Sequence, residues 1–310
     1  MAWISAFGAA LPSRIVTNDE IGALIGKTSE WIRNVSGIEE RRWVAEGETL
    51  VDLAVRAAED CLAKSGVSAS ELGLILVSSG SAPRRFPGPA ASVAARLGLT
   101  EVGAIDLPMA SAGALAAMVL ANEMADSYGP VLVVAAEVLS PVVVTEPVES
   151  GVAMLFGDGA GACLIHPKKG AARICHTQLS CDGSFSEDLR LEFNSPIQMN
   201  GRTVILQASR KIPRAIQQVL EKQGVEASQV DRFVMHQANQ NLIDRIADAI
   251  GVERGKFFSN IARYGNTSSA SMLIAASEWL AENGFPAEGL VCFAAFGAGF
   301  HWGAILTQGI

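Results

Sequence analysis

KSGVSASELGLILV (64–77) returns, altered but without a gap, as KQGVEASQVDRFVM (222–235). Lys64/Lys222, Gly66/Gly224, Val67/Val225, Ala69/Ala227 and Ser70/Ser228 match at one offset of 158 positions (222 − 64). Five identities in fourteen, all in a single register, read as an internal duplication. The flanks extend it. Leu50, Leu53, Ala54, Ala57, Ala58 and Cys61 fall at helical spacing across LVDLAVRAAEDCLA (50–63). Ile212, Ile216, Val219 and Leu220 do the same across SRKIPRAIQQVLE (209–221). Each predicted helix reaches a glycine suited to a left-handed cap, then a short apolar run, LGLILV or DRFVM. Later in each half come VLVVAAE (131–137) and VCFAAF (291–296), at an offset of 159 (294 − 135). Continuous apolar runs alternating with helices predict strands covered by helices on both faces. The chain is therefore expected to be an α/β protein of two similar halves, 1–168 and 169–310, divided within HPKKGAA (166–172).

Composition narrows the function. Of 310 residues, 49% are hydrophobic and 18% charged, ample for a large core. A net charge of −8 and a pI near 5.1 argue against nucleic acid bound through a broad basic face. No apolar run is long enough to cross a membrane, and MAWISAFGAALPSRIV lacks the pattern of a secretory signal. A cytoplasmic location is expected. Cys61, Cys163, Cys175, Cys181 and Cys292 are odd in number, without C-x2-C spacing; buried free thiols and no metal site are expected.

Four segments can carry chemistry. AIDLPMASAGALAAMVLANEMA (104–125) reads as strand, tight turn and helix, with Ser111 among small residues. Small neighbours let backbone N–H groups approach a reacting carbonyl; alternatively Ser111 only caps the helix. FVMHQANQNLIDRIADAIG (233–251) puts His236, one of four histidines, between a buried strand and an amphipathic helix. It is either a structural histidine or a base. In ARYGNTSSASMLIAASEWL (262–280), Gly265-Asn266 marks a turn and Thr267 or Ser268 suits a cap. The offset of 158 carries Ser111 to position 269, inside this turn, so the helix openings of the two halves are expected to converge. FGDGAGACLI (156–165) and FGAGFHWGAIL (296–306) lack phosphate-loop spacing and read as turns into strands.

These segments, in this order, resemble the β-ketoacyl-acyl carrier protein synthase III family. KTSEWIRNVSGIEERR (27–42), RFPGPA (85–90), DLPMASAG, LFGDGAGA, HQAN, RYGNTSSAS and FGAGFHWG carry the resemblance over nearly the whole chain. It implies a thiolase-like fold, two duplicated αβαβα halves in five layers, and a homodimer. It implies acyl transfer from acyl-CoA or acyl-ACP to a malonyl-type acceptor such as malonyl-ACP, with acyl carrier protein as partner. Coenzyme A or carrier thioesters enter as substrates, and no metal, other cofactor, nucleic acid or membrane is implied. By position, Ser111 stands where the family has its nucleophilic cysteine, and His236 and Asn266 complete the triad. The amides of Ser111 and Ala298 would form the oxyanion hole. Trp31 would pack on adenine, Phe86 would reach the partner's acyl pocket, and Phe156, Met199, Ala238 and Asn239 would line the substrate path.

The chain departs from the family's pattern at Val35, Ser150 and Asn241, each where the family carries arginine, and at Ala114, where it carries an aromatic residue. Arg202, Arg210, Lys211, Arg214 and Arg245 are candidates for docking an acidic carrier. Serine at 111 needs a base, because a hydroxyl does not ionise as a thiol does. Three explanations stand open: a native serine nucleophile, a cysteine replaced to trap a complex, or a non-catalytic family member.

Overall fold

The computed structural model describes residues 2–310. The first half runs β1 (Trp3–Ala10), α1 (Leu50–Ser65), β2 (Leu74–Ser78), α2 (Pro89–Arg96), β3 (Gly103–Leu107), α3 (Gly113–Tyr128), β4 (Val131–Glu137) and β5 (Gly159–His166). The second runs β6 (Ala172–Cys181), α4 (Gly201–Gln223), β7 (Arg232–Met235), α5 (Gln240–Ile250), β8 (Phe257–Phe258), α6 (Ser271–Asn283), β9 (Leu290–Gly297) and β10 (His301–Gly309). Gly66 and Gly224 end α1 and α4 at φ +66° and +75°, the left-handed caps the repeat called for. Helix α4 is longer than the apolar stripe suggested; Asn200 caps it and it absorbs Pro213.

The strands form one sheet in the order β8-β7-β9-β10-β6-β1-β5-β4-β2-β3. Each half therefore orders its strands third, second, fourth, fifth, first. Within each half the second strand pairs in parallel with the third and the fourth. In the sheet the two halves are joined by only two Cα pairs among the described residues, Trp3↔Arg173 and Ile4↔Ala172.

Side-chain alternation turns this topology into layers. Val131, Val133 and Ala135 face one core with α3 and α6, while Leu132, Val134 and Ala136 face another with α1 and α2. In β9, Val291, Phe293 and Ala295 share the first core, while Cys292, Ala294 and Phe296 face α4 and α5. Strands buried on both faces have no polar side to show, which is why they read as unbroken apolar runs. The result is helix, sheet, helix, sheet, helix, with α3 and α6 in the middle layer. Phe293 sits there with its ring 5.6 Å from that of Phe7. Truncating such a residue to alanine costs about 3–5 kcal/mol.

Two expectations need correction. Cys181 is exposed and Cys175 only half-buried, because β6 leaves β1 after Trp3↔Arg173 and its later residues lose that neighbour. Strand β3 ends the sheet and is not wrapped: Ile105 is 43% exposed. Among the described residues there is no cluster of three metal-ligating side chains, and no helix is long and apolar enough to cross a membrane.

Candidate active site

Ser111 lies in the turn between β3 and α3. Met109 N–H donates to the Leu107 carbonyl (2.8 Å) and Ala112 N–H to that of Ala110 (2.7 Å), winding the chain tightly. Ser111 takes φ +61° in consequence. That conformation costs a residue with a Cβ about 1–2 kcal/mol. The cap position of α3 is Ala112, with no side-chain cap, so the reading of Ser111 as a simple cap falls away. Two strand ends press on the turn. A Cβ on Gly297 would sit 2.2 Å from the Ala110 carbonyl oxygen and 2.6 Å from Ala112 N; one on Gly113 would sit 1.9 Å from Ser78 Oγ. Backbone on the far side makes glycine a steric requirement at 297, whereas at 113 the Ser78 hydroxyl would have to turn away.

The matching turn of the second half opens α6. Ser268 also takes a left-handed conformation, φ +47°. Its Oγ accepts from the Ser111 amide at 3.0 Å and lies 3.5 Å from Ser111 Oγ. The Ser268 amide donates to Asn266 Oδ1 at 2.9 Å, which leaves Nδ2 as the donor end of that side chain. Asn266 is clamped through its backbone: its N–H donates to Leu155 O (2.8 Å) and its carbonyl accepts from Gly157 N–H (3.1 Å). The LFGDGAGA segment thus holds the GNTSSAS segment.

His236 continues β7, its N–H donating to Ala294 O at 2.9 Å. Its Nδ1 meets Ser271 Oγ at 2.6 Å. Burial pushes its pKa down to about 4, so the imidazole is neutral near pH 7.

Glu137, at the end of β4, was not singled out in the sequence. It is fully buried and accepts from Ser269 N–H and Oγ–H, Gly80 N–H and Ser81 Oγ–H. Burial raises its pKa against the pull of those hydrogen bonds. It ties the 79–81 loop of the first half to the Ser268–Ser269 turn of the second. The available signal was an acid closing a seven-residue apolar strand.

Ser111, His236 and Asn266 line one cavity of about 80 Å³ with Phe156, Met199, Ala238 and Asn239. Ser111 and Phe156 also line a second space of about 50 Å³, with Ala110, Leu139, Leu189 and Ala298. The residue-111 hydroxyl thus stands between two chambers. It makes no hydrogen bond to His236: Ser111 is held by Ser268 and the imidazole by Ser271. The expected direct contact is absent, and the Ser111 amide expected free for an oxyanion is already engaged by Ser268.

Trp31 and Phe86 line neither chamber. Trp31 packs at the edge of the Ser29–Ser36 helix with Lys27 Nζ 5.2 Å above its ring. Phe86 is 86% exposed. Asn239 and Asn241, from HQAN and its following residue, donate through Nδ2 to Val35 O at 2.8 and 3.2 Å, fastening that helix beside the larger chamber. Lys211 is committed to Asp182 (2.7 Å) and to the Trp302 ring (4.1 Å), whereas Arg202, Arg210, Arg214 and Arg245 are exposed.

Residues 105–183 match the family described as 3-Oxoacyl-[acyl-carrier-protein (ACP)] synthase III, and residues 220–308 match its C-terminal counterpart. A β-ketoacyl-[acyl-carrier-protein] synthase III of Oleidesulfovibrio alaskensis is 34% identical over 99% of this chain and 98% of its own length. That of Aquifex aeolicus is 35% identical over 97% of each chain. The crystal structure of 3-oxoacyl-[acyl-carrier-protein] synthase III from Aquifex aeolicus superposes with a TM-score of 0.94 at 33% identity, covering 99% of this chain and 100% of that one. Duplicated strand order, layer arrangement and full-length similarity agree. The chain belongs to the 3-oxoacyl-[acyl-carrier-protein] synthase III family, with its thiolase-like fold.

Proposed function

We propose that this chain is an acyltransferase of the β-ketoacyl-acyl carrier protein synthase III type, with Ser111 as the residue that carries the acyl group. The observation that supports this most is the position of Ser111 on the wall shared by two chambers, with His236 and Asn266 in one of them. In the first half-reaction Ser111 Oγ loses its proton, attacks the carbonyl of an acyl thioester and forms an oxoester; the C–S bond breaks and the thiol leaves with a proton. In the second, a malonyl thioester loses CO2, its enolate carbon attacks the acyl carbon, the oxoester C–O bond breaks, and the departing Ser111 Oγ takes a proton from solvent. His236 takes the first proton. Hydrogen bonds at an empty catalytic site commonly tighten when substrate binds, which closes the gap to Ser111. An amide aimed at a developing oxyanion contributes about 3 kcal/mol; Ala298 supplies one and Ser111 the other once Ser268 Oγ releases it.

The halves divide the work: 1–168 carry the nucleophile, and 169–310 carry His236 and Asn266. Coenzyme A or carrier-protein thioesters are the substrates, with no metal or redox cofactor, and exposed Arg202, Arg210, Arg214 and Arg245 receive the acidic carrier. Trp31 meets the coenzyme A adenine. The exposed β3 edge, with Ile105, pairs with a second copy to form a homodimer, and Phe86 reaches the partner's pocket. The enzyme acts in the cytoplasm.

A second reading, transfer to a non-carbon acceptor without decarboxylation, is favoured by the oxygen at 111: an oxoester is a poorer electrophile toward a carbanion than a thioester. Intact mass after incubation with acyl-CoA should show one acyl adduct, absent in Ser111→Ala. CO2 release from malonyl thioester then separates condensation from simple transfer. No adduct with any acyl donor overturns both readings.

A further inference from the structure

We propose that the Ser271 hydroxyl sets the tautomer of His236, holding the proton on Nδ1 and presenting a bare Nε2 to the chamber. The inference rests on the reading of His236 as the base of the site. A serine hydroxyl has one proton and two lone pairs. Three partners surround this one. Gln237 N–H donates to it at 3.0 Å and takes one lone pair. The Ser268 carbonyl, which also accepts from the Ser271 amide, lies 2.9 Å from the hydroxyl in the direction of its proton, and the proton is assigned to it. The remaining lone pair faces His236 Nδ1 at 2.6 Å, so the proton in that contact belongs to the imidazole. All of these groups are buried.

The two polar ends in the chamber consequently differ. Asn266 Nδ2 donates, because its Oδ1 is held by the Ser268 amide; His236 Nε2 accepts. Such a pair suits removal of a proton from Ser111 or from a hydroxyl, thiol or amine acceptor. Two hydrogen bonds to a malonyl thioester carbonyl require Nε2 to donate instead. Without net charge change, this demands that the Ser271 proton swing from the Ser268 carbonyl to Nδ1 while the ring proton passes to Nε2. Ser271 is thus a positioning residue that biases His236 toward acceptance over donation.

Histidine-selective ¹⁵N NMR of the full chain at pH 7 tests this, with His236 assigned by the signal lost in His236→Asn. Wild type should show a pyrrole-type Nδ1 and a pyridine-type Nε2. Ser271→Ala should give mixed or averaged shifts and at least 10-fold slower acyl-adduct formation from acyl-CoA. Ser271→Thr should restore both. A protonated Nε2 in the wild type overturns the proposal, as does Ser271→Ala retaining the wild-type shifts. The NMR readout does not depend on turnover. Correct shifts in a chain that forms no adduct would therefore defeat the proposed function and leave the tautomer assignment standing. Should Ser271→Ala fail to fold, the wild-type spectrum alone decides.

Discussion

The sharpest test of the site's architecture is Gly297→Ala. Gly297 ends β9, and its missing side chain is occupied by the Ser111 turn. An added Cβ would lie 2.2 Å from the Ala110 carbonyl oxygen, 2.6 Å from Ala112 N and 2.9 Å from Ser111 Cβ, against an ordinary contact of at least 3.4 Å. The turn must move by roughly 1 Å, since backbone on both sides has no soft side chain to yield. Overpacking of this kind costs typically 1–3 kcal/mol of stability, and a 1 Å misplacement near reacting groups costs about 10²-fold in rate, or about 2.7 kcal/mol of barrier. Gly151, with nothing within 4 Å of its Cβ position, is the control. The assay pairs thermal melting with the rate of acyl-adduct formation by intact mass. Gly297→Ala is expected to stay folded, melt several degrees lower and acylate about 100-fold more slowly; Gly151→Ala should match wild type in both. A Gly297→Ala protein that acylates at the wild-type rate would refute the claim that the 110–112 turn is the reacting element.

Ser111→Cys should raise malonyl-dependent condensation at least 10-fold, measured as CO2 release; unchanged or lower release means the site is not adapted to a thiolate. His236 has its pKa lowered from 6.5 to about 4, so the unfolded chain binds more protons across that interval and stability falls as pH drops through it, by up to about 3 kcal/mol. Buried Glu137 and Asp158, with raised pKa values, act in the opposite sense as pH rises. Melting of wild type and His236→Asn from pH 4 to 7 isolates the histidine: the acid-side loss should be larger in wild type. Arg41 is fully buried and bound to Val16 O, Asn18 Oδ1 and Met154 O. Arg41→Ala leaves three acceptors and a void, and should cost more than 2 kcal/mol in denaturant unfolding. Ile105→Asp on the open edge of β3 should convert a dimer to monomer by light scattering; a monomeric wild type would sink the dimer reading.

Much of the fold was legible because duplication writes itself twice. The offset of 158 holds for the short 3₁₀ turns Ala69–Glu71 and Ala227–Gln229 and for the first residues of α3 and α6, Gly113 and Ser271. The apolar stripes of α1 and α4 are buried as their spacing required. The same repeat foretold that the openings of α3 and α6 converge. It did not foretell that Ser268 would hold the Ser111 amide, or that Ser271 would hold His236. Those are side-chain contacts made across the halves, and no local spacing encodes them. Glu137 was missed for a related reason: a lone acid shows its partners only when two strand ends and a turn have been brought around it. Trp31 and Phe86 came from resemblance alone, and the chain by itself gives neither a place in the chambers.

The duplication also bears on why an oxygen can stand at position 111. Helix α3 opens at the site with alanine at the cap position and no side-chain cap, so its positive end is open there, whereas the turn that opens α6 is already met by Asn266 Oδ1 on the Ser268 amide and by Glu137 on the Ser269 amide. That field acts on the oxyanion of an acylating carbonyl whether the attacking atom is oxygen or sulfur. Burial keeps His236 neutral beside it. For a thiol the same helix end would supply the thiolate directly; for a hydroxyl it cannot, and activation falls to a base whose pKa is near 4. In the mechanism proposed above, proton removal is therefore the weak step of the first half-reaction, while the electrophilicity of the oxoester limits the second. Cysteine at 111 relieves both at once. Acylation should then lose its dependence on His236, so that His236→Asn costs less in the Ser111→Cys background than in wild type, and equal losses in the two backgrounds would show that His236 does not activate the nucleophile.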